Sequence, residues 1–155
     1  MNDGLDVIIV DDDLRICKTV SELVKKFYVW GDVLAFSDIE EGKAYCLKHA
    51  SGIAIFVLDV FLGNGTGFTF LESIAERFPT AYEDTIIITG NASEDVVNMC
   101  VASDVYYLLE KPVRSYALQF AIRAIVTKYI RFAQRILVDP SFAQSVDQLG
   151  IDSFR

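Results

Sequence analysis

Short apolar runs recur along the chain at VIIV 7–10, VLAF 33–36, IAIFVL 53–58, TIIIT 85–89 and VYYLL 105–109. Between them the period changes. Apolar residues return every three or four positions over about 13–28, 38–50, 67–78 and 92–102, and over a longer stretch at about 114–137, the spacing of helices with one buried stripe. Runs of Ile and Val without polar alternation are buried on both faces. Alternating with helices, they predict an α/β fold, a doubly wound five-stranded parallel sheet covered on both sides. In such sheets ligands bind beyond the carboxyl ends of the strands, where the winding order reverses.

Polar residues punctuate this pattern as helix caps should. Asp13 is placed to cap the first helix, Ser37 or Asp38 the second, and Ser93 the fourth, with Glu94 and Asp95 adding negative charge to its first turn. Pro79 ends the third. The last helix outruns the sheet: its 23 residues reach about 35 Å, whereas five-residue strands extend about 17 Å. This predicts a main domain over 1–130 and a helical extension with its tail over 131–155. Leu118, Ile122, Ile125, Tyr129, Phe132 and Ile136 form a heptad-like seam. Its overhanging part needs a cover, either a homodimer partner through the C-terminal helix or a fold-back of VDPSFAQSVDQLG that brings Phe142, Val146 and Leu149 onto it. The isolated stripe favours pairing.

Composition narrows the function. A chain of 155 residues carries one well-packed domain, and a net charge of −8 excludes the clustered bases of a phosphate-tracking nucleic-acid surface. No apolar run spans a membrane and the acidic start is not a signal peptide, which predicts a cytoplasmic protein. Cys17, Cys46 and Cys100 are odd in number and far apart, as reduced core thiols are, rather than a disulfide framework or zinc site. His49 is the only histidine. It closes a helix, and it leaves no phosphohistidine relay elsewhere in the chain.

The chemistry gathers at the strand ends. Asp11 and Asp12 follow the first strand, Asp59 ends the third, Thr89 the fourth, and Lys111 follows the fifth. A parallel sheet brings these ends to one edge. Carboxylates within about 5 Å repel by roughly 3 kcal/mol per pair at an effective dielectric near 20, so the cluster needs a cation. Hard oxygen donors without His or Cys suit Mg²⁺. One lysine and one hydroxyl opposite the acids suit a tetrahedral anion on the same ion, and Asp59 is then a nucleophile for a phosphoryl group.

The acid pair after the first strand, Asp59 at the end of the third, Thr89-Gly90 after the fourth and Lys111-Pro112 after the fifth together resemble the receiver domain of the two-component response regulators, over residues 5 to about 130. The resemblance implies a flavodoxin-like, chemotaxis-regulator-like fold and a phosphorylation switch rather than an enzyme acting on other molecules. It implies phosphoryl transfer to Asp59 from a partner histidine kinase or phosphotransfer protein, with Asp12, Asp59 and the Phe61 carbonyl on Mg²⁺ and Asp11 acting through a bound water. Lys111 would contact Asp59 and then the phosphoryl oxygens, with Thr89 moving in beside it. A cis Lys111–Pro112 bond is expected on the same ground. Three positions depart from the family: Leu108 stands where an aromatic is usual, Gly63 where Pro is common, and Thr66 where an acid or Asn is common. Unless a bulge lets Tyr107 take the role, the aromatic read-out is missing, which raises a second reading as a phosphorylation-independent interaction module. GNGTG at 63–67 could also be a phosphate-cradling loop, but no Lys-Ser or Lys-Thr follows it. LGIDSF at 149–154 resembles the loop around the modified serine of acyl carrier proteins, yet only two residues follow Ser153.

Overall fold

The computed structural model of the chain describes residues 4–49 and 52–153, with side chains up to residue 149. The chain divides into two compact units, Met1–Ile122 and Arg123–Arg155.

In chain order the first unit holds β1 (Val7–Val10), α1 (Leu14–Lys25), β2 (Val33–Phe36), α2 (Ile39–Lys48), β3 (Ile55–Asp59), the short β4 (Phe61–Leu62) and β5 (Gly65–Thr66), α3 (Gly67–Ile74), β6 (Thr85–Thr89), α4 (Glu94–Ala102) and β7 (Tyr107–Glu110). Helix α5 (Ser115–Val138) runs on into the second unit, and α6 (Pro140–Ser153) follows it. The five long strands pair in parallel in the order β2-β1-β3-β6-β7. From β1 the chain winds first toward β2 and then back across β1 to β3. The carboxyl ends of β1 and β3 are therefore the switch point, where a crevice opens.

The caps follow the sequence. Asp13 accepts hydrogen bonds from the Arg15 and Ile16 amides, Asp38 from those of Glu40 and Glu41, and Ser93 from that of Val96. Helix α3 ends at Ile74, short of the expected 78, and the chain turns so that Phe78 is buried edge-on against Phe56, ring centroids 5.3 Å apart. Two elements were not foreseen. The glycine-rich run after Asp59 pairs as the β4–β5 hairpin, with Phe61 opposite Thr66 and Leu62 opposite Gly65. The second is α6, discussed below.

One face of the sheet buries Ile8, Val10, Phe56, Leu58 and Ile87 with Cys46 of α2, Phe70, Leu71 and Ile74 of α3 and Val96 and Cys100 of α4. The alternate positions Val7, Ile9, Val57, Ile86 and Ile88 are buried as well, as are Cys17, Val20 and Val24 of α1 and Leu118 and Ile122 of α5. This is the two-faced burial that the unbroken Ile and Val runs predict. All three cysteines are buried and unpaired, and burial pushes the Cys46 thiol up to about 11. His49 closes α2 with its Nε2 3.7 Å from Asp6 Oδ2.

In the second unit α5 ends at Val138 and Asp139 caps α6, its carboxylate accepting a hydrogen bond from the Phe142 amide at 3.0 Å. Pro140 at the first helical position suits this start. Helix α6 returns toward α5: the Phe142 ring packs edge-on against Phe132 at 5.9 Å, and the Arg135 guanidinium lies 3.9 Å over its face. The fold-back therefore occupies Phe132, where the sequence favoured pairing. Phe142 and Val146 are half-buried, while Leu149 remains 65% exposed. The side chain of Ser153, with Phe154 and Arg155, lies outside the described residues.

Candidate functional site

Asp59 is the last residue of β3, in register with Ile88 of β6. The next residue, Val60, is pinned twice, its amide donating to the Ile88 carbonyl at 3.0 Å and its own carbonyl accepting from the Gly67 amide at 2.8 Å. The β4–β5 hairpin thus leaves and rejoins the sheet at one point. It hands over to α3 through a capping box in which Thr66 and Thr69 each accept the other's amide, at 3.1 and 2.9 Å. Gly67 is required there by close approach: a Cβ would lie 2.6 Å from the Asp59 carbonyl oxygen.

Asp11 and Asp12 follow β1, the neighbour of β3. Carboxylate oxygens of Asp11, Asp12 and Asp59 lie within 4.8 Å of one another. Lys111 reaches into this group from the end of β7, its ammonium 2.9 Å from Asp59 Oδ2 and 3.2 Å from Asp11 Oδ2. The backbone directs it there. The Lys111 amide donates to the Thr89 carbonyl at 2.8 Å, and the Lys111–Pro112 peptide is cis, as the resemblance implied. Asp11 is nearly buried at 3% exposure, and its other oxygen accepts the Asp13 amide at 2.9 Å.

These surroundings set the protonation behaviour. Burial pushes the Asp11 carboxyl above its ordinary value, with the Asp59 charge adding to the rise and the Asp13 amide and Lys111 opposing it. Burial pulls the Lys111 ammonium down, but its hydrogen bond to Asp59 and the charges of Asp11 and Asp59 outweigh that, and its pKa is raised. Three hard carboxylates with no sulfur or imidazole among them, one already crowded and desolvated, fit a small divalent cation.

Four of the expected side chains, Asp11, Asp12, Asp59 and Lys111, are brought together. Thr89 is not brought onto Asp59. It is buried at the end of β6, and its hydroxyl donates to the Asn91 carbonyl and accepts the Asn91 amide, both at 3.2 Å. Phe61 begins β4 with its ring 65% exposed. Tyr107 and Leu108 sit in an unbroken ladder opposite Ile86 and Ile87, with no bulge. Leu108 packs on the cluster that also holds Val96 and Cys100 of α4, so Tyr107, one position earlier, faces the other side of the sheet. Sequence reasoning missed the Gly63 amide, which donates to Asp12 Oδ2 at 3.1 Å. Gly63 has a φ of +55°, and the glycine run was the only signal for that turn.

The fold is shared with solved receiver domains. One from Clostridium thermocellum superposes with a TM-score of 0.71 at 21% identity, over 83% of this chain and 98% of that one. The chemotaxis protein CheY4 of Vibrio cholerae does so with a TM-score of 0.67 at 20% identity, over 79% and 98%. A chain of the CheX–CheY–BeF₃–Mg²⁺ complex of Borrelia burgdorferi reaches 0.63 at 22% identity, over 79% and 89%. At these identities the likeness speaks for the fold. No curated protein matches the chain. Among the described residues, no helix is long and apolar enough to cross a membrane. The sequence is more specific than the superpositions, since residues 7–123 match the response regulator receiver domain; by that span, well over half its length, this chain belongs to the response regulator receiver family.

Proposed function

We propose that the chain is a phosphorylation switch working in the cytoplasm, in which Asp59 accepts a phosphoryl group from the phosphohistidine of a partner histidine kinase or phosphotransfer protein. The observation that carries this reading is the Lys111 ammonium held between Asp59 and Asp11. Bridging two acids, it holds one Asp59 oxygen in a fixed place beside Asp11. An Asp59 oxygen attacks phosphorus in line, the N–P bond breaks, and its electron pair returns to the donor imidazole, which takes up a proton from solvent. Asp59 becomes an acyl phosphate. Asp12, Asp59 and the Phe61 carbonyl would hold Mg²⁺ directly, with Asp11 acting through a water. When bound, the ion would supply charge neutralisation for the transferred group. Lys111 then turns from the lost carboxylate charge to a phosphoryl oxygen, and Thr89 gives up Asn91 to donate its hydroxyl to another. In this scheme the chain catalyses only its own modification.

The test is phosphorylation by acetyl phosphate with Mg²⁺. Wild type should gain one hydroxylamine-labile phosphate, and Asp59→Asn none; a labile phosphate retained in that variant would place the acceptor elsewhere.

A second reading, a receiver-fold interaction module that phosphorylation does not drive, draws on Leu108 and the unbroken ladder around it. It predicts unchanged amide spectra when beryllofluoride and Mg²⁺ are added. The switch reading predicts widespread shifts.

A further inference from the structure

The extension carries a surface that neither the receiver fold nor α6 explains. Residues 124–138 lie beyond the family match. Within them Val126, Ile130, Ala133 and Leu137 recur at spacings of 4, 3 and 4, which at about 100° per residue places them along one side of α5. Phe132 and Arg135, which hold Phe142, lie on a different side, so α6 leaves the stripe open. Ile130 is 43% and Leu137 82% exposed. The bases Lys128, Arg131 and Arg135 also share a side, roughly opposite the stripe, and α5 contains no acid.

We propose that this stripe is where a second copy of the chain docks, antiparallel, about a two-fold axis between residues 131 and 132. That axis sets Val126 against the partner's Leu137 and Ile130 against the partner's Ala133, the same four side chains meeting from both copies, which is the self-complementarity an isologous contact needs. Charge selects the direction. A parallel pair would bring Arg123 beside the partner's Arg123. The antiparallel pair sets it opposite the end of the partner's α5, beside the Asp139 carboxylate, and the three other bases of each helix face away from the contact. Four side chains cover less than the about 800 Å² per partner of a standard interface, so the result is a monomer–dimer equilibrium. An anionic membrane fits less well, because the first unit holds nineteen acids against nine bases.

Sedimentation equilibrium of the full chain from micromolar to millimolar concentration should show its mass rise from monomer to dimer. Leu137→Glu and, separately, Ile130→Glu should weaken the dimer at least tenfold with far-ultraviolet circular dichroism unchanged. Asp59→Asn should dimerise as wild type does, so the surface and the phosphorylation chemistry fail or stand separately. For direction, Val126→Cys chains mixed with Leu137→Cys chains should cross-link to each other, the three native thiols being buried. A monomer at every concentration, a dimer untouched by both glutamates, or self-cross-linking of Val126→Cys alone would overturn the proposal. So would Leu137-dependent binding to phosphatidylglycerol vesicles by a chain that stays monomeric.

Discussion

Lys111 Nζ lies 2.9 Å from Asp59 Oδ2 although the residues are 52 positions apart and β6 separates their strands. The lysine spans the width of one strand and reaches Asp11 as well. Replacing it with alanine leaves two crowded carboxylates facing each other. Lys111→Ala should lower stability by about 1.5–3 kcal/mol without added metal, the usual worth of hydrogen bonds to charged groups, and millimolar Mg²⁺ should recover part of the loss. Because the folded pKa of Lys111 is raised above 10.5, the lysine side of the pairing is complete at neutral pH and fades only above that value, while on the acid side it fades as the carboxyls of its partners take up protons. The gap between variant and wild type should therefore stay constant through the neutral range in urea titrations. A gap that closes on going from about pH 7 to about pH 9 would contradict the pairing.

Gly67→Ala puts a methyl group 2.6 Å from the Asp59 carbonyl oxygen. Either strand or helix must shift. Phosphorylation by acetyl phosphate should fall at least tenfold, with a stability loss of about 1–3 kcal/mol from overpacking. A phosphorylation rate equal to wild type would show that the acceptor tolerates the shift.

Tyr107→Ala should leave the beryllofluoride-induced spectral change intact, since Tyr107 faces away from the cluster that Leu108 joins. Loss of the change in this variant would give the ring a part in the read-out after all.

The architecture was legible because its signals are local. Each Ile and Val run is buried on both faces where it stands, and parallel strands bring Asp11, Asp12, Asp59 and Lys111 to one edge whatever lies between them. What escaped depends on contacts distant in sequence or on side-chain direction. The bond from the Gly63 amide to Asp12 crosses 51 positions, and no periodicity marks it. The Thr89 hydroxyl had two partners to choose from, and it is the turn at Asn91 that decides. Helix α6 mixes polar and apolar positions too evenly to announce itself, and only its Asp139-Pro140 start signals it in the sequence.

Tyr28, 8% exposed, donates its hydroxyl to the Leu5 carbonyl. Burial, and then the Asp6 charge, push its pKa from 10.0 up to about 12. A pKa raised in the folded state means that the phenol's contribution is complete below pH 10 and is lost as pH climbs through about 12. Burial raises the Tyr45 and Tyr82 phenols as well, and spectrophotometric titration should find Tyr28 the last to ionise while the fold holds. Tyr28→Phe should remove that late step and cost about 1–3 kcal/mol at pH 7, the penalty for a carbonyl stripped of its partner. Ionisation of all tyrosines together near pH 10 in folded protein would refute the assignment.

The two hydrogen bonds that pin Val60 make residues 61–66 an excursion that starts and finishes at the same place. Strand, nucleophile and helix are joined behind it, yet Leu62 is buried, the Gly63 amide holds Asp12 and Thr66 caps α3. The exposed tip at Asn64 is the one position of the hairpin that can vary without touching the acid cluster. A partner-specific side chain could be installed there, a few residues from the reacting carboxylate, while Asp12, Asp59 and Lys111 keep their places.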